Sequence, residues 1–501
     1  MRLLTMCFCA TAFLGTATSS ASVLRVAKTG DGSDGQSWET AYQTIGNALI
    51  ASATGDQIWV KGDIYNEAII MKPAVAVYGG FSGTESDAQF HLRNWVDNET
   101  IIDASGLNTH VVVGADHAVL DGFTVTNGRS ISVYNGSGGG IYCFRVSPTI
   151  NNCYIRNNLA GGYLNPWGGG IYIALSSPSI SNCTFEQNTA ASSFLGSGGA
   201  IFVWSATPTI EYSVIKNNTV FHSGSGLYIE DSQVTLRKCF IQDNRSDRAI
   251  VTVDSSLLLI DCSINNNSRG GLYSRNTRLE FVNCILATND VPSDIFGKSG
   301  HGGAAYLFAS DILFQNCTIA GNLVGNTGGG LYSDSSTVIL INSLISNNSP
   351  DGMFIDQSEV AATWSNIQGG FFGAGNIDAD PRFVDPDNGD YRLRRDSPCI
   401  DTGSTSGPST DIRGLPRPVD IPGIGREGEG AFDMGAYELQ PSDLAQSATG
   451  VDFLLYSIYW QRQSGQNETP FNETDYDRLN AIYDRQIDWA DLYYNLGVRT
   501  I

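Results

Sequence analysis

One spacing constrains this chain more than anything else in it. From about residue 110 to residue 370 a small residue, followed by apolar and aromatic ones, stands 13 positions before a Cys or Ser that opens a strand-like run closing on Asn. The first signal reads Gly140-Ile141-Tyr142, Gly170-Ile171-Tyr172, Ala200-Ile201-Phe202, Gly226-Leu227-Tyr228, Gly271-Leu272-Tyr273, Ala304-Ala305-Tyr306, Gly330-Leu331-Tyr332 and Gly352-Met353-Phe354. The return step, by contrast, ranges from 9 residues (Ser343 to Gly352) to 20 (Cys284 to Ala304). One arc of the repeat is therefore constant and the other accepts insertions. The shortest full repeat, 22 residues, is too short for a βαβ unit, which needs about 30. It suffices for one coil of a parallel β-helix, whose coils stack about 4.8 Å apart and align equivalent residues in ladders. Neither heptads nor blades of about 40 residues are present. Ten coils run from Phe123 to Ser365, one of them degenerate, where Ala249 precedes Cys262.

Composition narrows the partners. The 501 residues carry 51 Asp and Glu against 29 Lys and Arg, a net charge of −22, with no basic stretch, so nucleic acid is not expected as a partner. The 56 glycines follow no three-residue period and 42% of the residues are hydrophobic, which excludes collagen and argues against wholesale disorder. Residues 1–22 read as a secretory signal: Arg2, an apolar run from Leu3 to Leu14, then small residues from Gly15 to Ser22. Cys7 and Cys9 lie inside the apolar run, where a lipid anchor would not use them. No later stretch is apolar for about 18 residues, so no transmembrane helix is expected. A monomer, secreted or on the cell surface, is the expectation.

The register predicts three ladders. Cys153, Cys183, Cys239, Cys262, Cys284 and Cys317, with Ser213 and Ser343 in the same row, are expected as buried thiols, since parallel stacked side chains rarely meet disulfide geometry. Asn158, Asn188, Asn218, Asn244, Asn267, Asn289, Asn322 and Asn348 are expected at left-handed corners, their amides bonding along the stack. The Tyr and Phe of the first signal form the third ladder, either packing on one another or offering a platform for sugars. In the variable arc, Tyr134, Tyr163, Trp167, Phe194, Phe221 and Phe296 stand near the tips of the longest loops. They are the candidate glycan-binding residues, against the alternative that they form a satellite core.

The GGxI and [F/I]xxN repetition, fullest at Gly198-Gly199-Ala200-Ile201 and Phe185-Glu186-Gln187-Asn188, resembles the repeats of chlamydial polymorphic outer membrane proteins and of secreted bacterial β-helix proteins. That resemblance implies the pectin-lyase-like fold and its right-handedness. The expected fold class is thus all-β, a right-handed parallel β-helix solenoid. Ser37 to Ile50, apolar at 41, 45, 48 and 49, is expected as an N-terminal capping helix. The stretch from Phe383 to Glu438, with Ser397-Pro398-Cys399-Ile400-Asp401-Thr402-Gly403, Asp411-Ile412-Arg413-Gly414 and Asp433-Met434-Gly435-Ala436-Tyr437-Glu438, resembles a module that precedes a surface-anchoring element in bacterial β-helix proteins.

Residues 441–501 resemble two decayed dockerin-type calcium repeats. A calcium loop takes oxygen ligands at positions 1, 3, 5, 9 and 12 with Gly at 6. With Asp491 as position 12, Asn480, Asp484 and Asp488 stand at 1, 5 and 9, but Ile482 and Arg485 break 3 and 6. A plain helical tail is expected, with calcium the one cofactor left open. The divisions are residues 1–22 signal, 23–100 cap and first coils, 101–380 repeats, 381–440 anchor-associated module and 441–501 tail.

No catalytic set emerges. Related hydrolases use an Asp-Asp pair, which this chain lacks, and its five His, at 91, 110, 117, 222 and 301, hold no metal spacing. Glu230, Asp254, Asp334 and Asp356 recur on successive coils without forming a recognisable group. The expected function is binding of extracellular polysaccharide, or an envelope structural or adhesion role through a cell-surface component. A polysaccharide lyase, hydrolase or epimerase of the same fold is the alternative.

Overall fold

The computed structural model describes residues 21–131, 136–162, 166–192, 196–292, 300–421, 424–426 and 431–444. The residues of the signal-like segment up to 20 and of the tail from 445, including Asn480, Asp484, Asp488 and Asp491, lie outside the described residues.

The chain winds as a right-handed β-helix with three long parallel sheets of thirteen, twelve and eleven strands. The constant arc supplies two of them. After the small residue a strand such as Ile141–Phe144 enters sheet three, and a turn leads to Thr149–Asn151 in sheet one. The Cys then opens Tyr154–Arg156 in sheet two. Every Cys or Ser anchor immediately precedes its sheet-two strand, and the ten anchored strands pair in unbroken register, including Ser263–Asn265 of the degenerate coil. Sheet two continues toward the N-terminus through Ile64–Tyr65 and Ile101–Asp103, coils without the sequence signature.

Alternation fills the interior. In sheet two Val125, Ile155, Phe185, Ile215, Ile241, Ile264, Leu286, Ile319, Ile345 and Ile367 stack inward and are buried, each such side chain stabilising the fold by about 1.5–3 kcal/mol. The small-residue position has a steric cause. A Cβ on Gly140 would come within 2.6 Å of Gly170 O, and one on Gly330 within 2.3 Å of Gly352 O. Only Gly fits there, and Ala where neighbouring coils give slightly.

The Cys row is buried and unbridged, and all eight cysteines among the described residues are free thiols. The Asn row is buried too, with Asn158 Nδ2 donating to Asn188 Oδ1 at 3.0 Å and Asn188 Nδ2 to Asn218 Oδ1 at 3.1 Å, onward to Asn348. The left-handed corner, expected at these residues, lies instead one position earlier, at Asn157, Gln187, Asn217, Asp243, Asn266, Thr288 and Asn347. The reason is geometric: a ladder Asn must aim both its N–H and its amide along the stack, so its neighbour makes the turn.

The N-terminal helix is shorter than its spacing suggested, Ile45–Ala51, capped by Thr44 rather than by Ser37. Tyr42 is held extended, its N–H donating to Arg25 O and its carbonyl accepting from Ala27 N–H, both at 2.9 Å. The half-buried Glu67 carboxylate accepts the N–H groups of Ile45 and Gly46 at 2.8 and 2.9 Å, and Ile45, Ala48 and Leu49 join the core. No helix among the described residues is long and apolar enough to cross a membrane.

The segment from Phe383 onward folds back against the outer face of sheet two. Phe383, Leu393, Ile412, Met434 and Ala436 share a buried cluster with Ile285, Ala287, Ala320 and Leu344. Its charged residues are internal: Arg392 bridges Asp390 (2.7 Å) and Asp443 (3.0 Å), Arg413 bridges Asp411 and Asp443 (both 2.8 Å), and Arg417 meets Glu438 (3.2 Å).

Candidate functional site

The outer face of sheet three carries the aromatic ladder, because the second residue of each of its strands points away from the core. His110, Tyr142, Tyr172, Phe202 and Tyr228 stack with centroid separations of 4.7, 5.3, 5.6 and 5.3 Å and interplanar angles no greater than 26°. Trp167, half-buried at the base of its loop, adds a further ring 5.1 Å from Phe202. These faces cover one another, so this half of the ladder is a satellite core.

At the degenerate coil the pattern breaks. Val251 occupies the ladder position between Tyr228 and Tyr273. Beyond it two ring pairs lie nearly perpendicular, Tyr273 and Tyr306 at 88° and 5.4 Å and Tyr306 and Tyr332 at 74° and 4.8 Å, before Tyr332 stacks again on Phe354 at 13° and 5.2 Å. Tyr273 and Tyr306, meeting edge to face, have no parallel ring over them among the described residues and are both partly exposed.

A cavity of about 540 Å³ opens at this break, lined by Val251, Tyr273, Tyr306 and Tyr332 on the sheet and by His222, Asp247, Arg248, Arg269 and His301 from the loop side. Its origin lies in loop length. Between the ladder Asn and the next small residue the chain has only four residues after Asn244 and three after Asn267, against eleven after Asn188 and fourteen after Asn289. Two minimal coils between long loops leave a notch.

The notch is cationic in an acidic protein. Arg248 is buried, donating through Nη1 to Gly302 O (2.6 Å) and Leu272 O (3.2 Å) and through Nη2 to His301 O, with its guanidinium 5.8 Å from the Tyr306 ring. Burial draws its pKa down to about 10, with Asp247 opposing, so it stays charged at neutral pH. Asp247 accepts the Gly224 N–H at 2.9 Å, and burial holds its carboxyl above the usual range. Arg269 is exposed at the rim. His301 bonds Thr327 Oγ1 through Nδ1 at 2.9 Å, and burial and then Arg248 lower its pKa, favouring neutral imidazole. Burial raises Tyr306 and Tyr332, keeping the phenols protonated.

Of the loop aromatics expected from sequence, Trp167 lies in the stacked half of the ladder and Phe221 is exposed, at 59%, on its loop. Tyr134, Tyr163, Phe194 and Phe296 lie outside the described residues. Tyr273, Tyr306 and Tyr332 belong to the expected third ladder. Arg248, Asp247 and Arg269 carried no signal of their own, although the missing aromatic at Val251 and the short steps around it mark the place.

Residues 210–294 match the family model described as right handed beta helix region. No curated protein matches the chain. Among solved structures the chain is similar to pectate lyase Pel9A, at 13% identity and TM-score 0.45, covering 84% of this chain and 97% of that one. It is also similar to XylC in complex with xylose (10%, TM-score 0.47, 83% and 98%) and to a rhamnogalacturonan lyase (10%, TM-score 0.30, 73% and 91%).

Proposed function

We propose that this protein is a secreted or surface-attached β-helix that binds an extended acidic polysaccharide along sheet three, with one sugar unit seated in the notch. The observation that carries this reading is the notch itself, where partly exposed Tyr rings meet two arginines. Ring faces suit the flat apolar side of a pyranose, and a guanidinium suits a carboxylate. The coil repeat extends the face in steps of about 4.8 Å, matching a linear chain rather than a single small molecule. In binding assays of the mature protein against acidic and neutral oligosaccharides, acidic ones bind, and Tyr306→Ala and Arg269→Ala each weaken binding about tenfold, the equivalent of ~1.4 kcal/mol. Equal binding of neutral sugars, or indifference to both substitutions, overturns the reading and favours an envelope structural or adhesion role.

Catalysis at the same notch is the second reading, favoured by His301, a neutral imidazole 4.7 Å from the Tyr332 ring and thus suited to act as a general base. A screen of uronate-containing polysaccharides for new unsaturated or reducing ends separates the two: activity abolished by His301→Gln, with binding retained, establishes the enzyme.

A further inference from the structure

A second convergence of ionisable groups lies within the C-terminal segment that packs on sheet two. Asp401, Asp433 and Glu438 are buried, at 2, 1 and 0% exposure, and each directs one carboxylate oxygen into a space where all three oxygens lie within 4.8 Å of one another. Two of the three are held by the protein. Asp433 accepts the N–H groups of Asp401 (2.8 Å) and Leu439 (2.6 Å), and Glu438 accepts those of Val419 (2.8 Å) and Asp433 (3.1 Å) while lying 3.2 Å from Arg417 Nε. Asp401 is not: neither of its carboxylate oxygens has a hydrogen-bond donor. A buried carboxylate without a donor, facing two others, is a costly arrangement unless something else completes it.

Charge and distance identify what completes it. With all three carboxylates ionised, the single guanidinium of Arg417 leaves two negative charges, which a divalent cation neutralises. Two oxygens bound to one calcium ion at about 2.4 Å can stand no more than about 4.8 Å apart, the bound this trio meets. Magnesium, at about 2.1 Å and reluctant to shed its waters, suits a buried all-carboxylate site less well. The geometry points to a structural calcium site formed by Asp401, Asp433 and Glu438. It joins two strips of the C-terminal segment, 399–401 and 433–439, both packed on sheet two. The proposal is independent of the glycan reading.

The test uses the full mature chain, stripped with a chelator that is then removed, and calcium chloride alone as probe. Calorimetry shows one calcium bound per chain, and the melting temperature climbs with calcium concentration as binding to the folded state requires. Asp401→Asn, equal in size, abolishes both effects, yet without calcium melts no lower than the parent because it removes an uncompensated buried charge. Asp488→Ala with Asp491→Ala, which destroys the tail's degenerate loop, leaves both effects in place. A parent that neither binds calcium nor shifts its melting at millimolar concentration overturns the site. So does an Asp401→Asn chain that still responds, or a tail variant that no longer does.

Discussion

Each coil turns its corners on single residues with positive φ, and the identity of those residues sets a local cost. In the row just before the Cys anchors the left-handed positions are Asn152, Asn182, Tyr212, Lys238, Asp261, Asn283, Asn316, Asn342 and Trp364, with φ between 50° and 53° apart from Asp261 at 54°. Asn tolerates this region best after glycine, because its side chain bonds locally. Asp261 shares the tolerance but is buried, at 8% exposure. Burial lifts its pKa to about 6, against the pull of the Asn283 amide at 3.0 Å and of Lys238. The folded state therefore keeps a proton that the unfolded chain, at 3.8, has already released. Stability contributed by this group is intact below pH 4, falls as pH rises from about 4 to 6, and above that the cost is full, up to ~3 kcal/mol. Asp261→Asn keeps the corner and the acceptor for Asn283 while deleting the charge. The variant should melt higher than the parent at pH 7, by an equivalent of ~1–3 kcal/mol, and match it at pH 4. Thermal unfolding from pH 4 to 8 checks this; parallel pH profiles for the two chains would refute it.

At the level of elements, the Asn ladder does for the solenoid what sheet hydrogen bonds do for strands: it ties coil to coil at a corner where the backbone leaves the sheet. Asn218 sits in its middle. Its Oδ1 accepts from Asn188 N–H (2.9 Å) and Nδ2 (3.1 Å), and its own Nδ2 donates to Phe185 O (2.9 Å), Lys216 O (2.9 Å) and Asn244 Oδ1 (3.1 Å). Asn218→Ala strands buried groups on both neighbouring coils and should cost about 2–4 kcal/mol. Gln368 ends the ladder with two bonds to Asn348, both 2.8 Å, and is only partly buried, so Gln368→Ala should cost markedly less. Equal losses in unfolding experiments would deny the ladder this role. The same residues explain what was legible beforehand. The spacing of Gly, Cys and Asn revealed ten coils because these three stacked, buried rows admit so few residue types. The coils through Ile64–Tyr65 and Ile101–Asp103 use no such corners, so first coils were expected within residues 23–100 but without a register. The true left-handed positions include Gln187, Asp243 and Thr288, too varied to announce themselves, whereas the invariant Asn beside them drew the eye.

For the whole molecule, function and stability both arise from relations between coils that no single repeat contains. The notch exists because two minimal coils lie between longer ones, so its outline was written in the variable step; which side chains would meet there, Arg248 above all, was decided by stacking. The C-terminal segment is the larger case. Its sequence motifs marked it as distinct from the repeats, but its burial of Ile285, Ala287, Ala320 and Leu344 gives it a second core shared with the outer face of sheet two. It is also stitched there by hydrogen bonds, from Gly435 N–H to Asn342 O (2.7 Å), Ser404 N–H to Asn342 Oδ1 (2.7 Å) and Ala436 N–H to Thr318 Oγ1 (3.0 Å). Removing it would uncover an apolar stripe across several coils of sheet two, the kind of surface that drives association. A chain ending at Asp380 should therefore bind a hydrophobic dye, associate as its concentration rises and melt at least about 5 °C below the full chain. If instead it remains monomeric and melts unchanged, the segment is an appendage resting on a self-sufficient solenoid, and the shared core contributes little to holding the coils together.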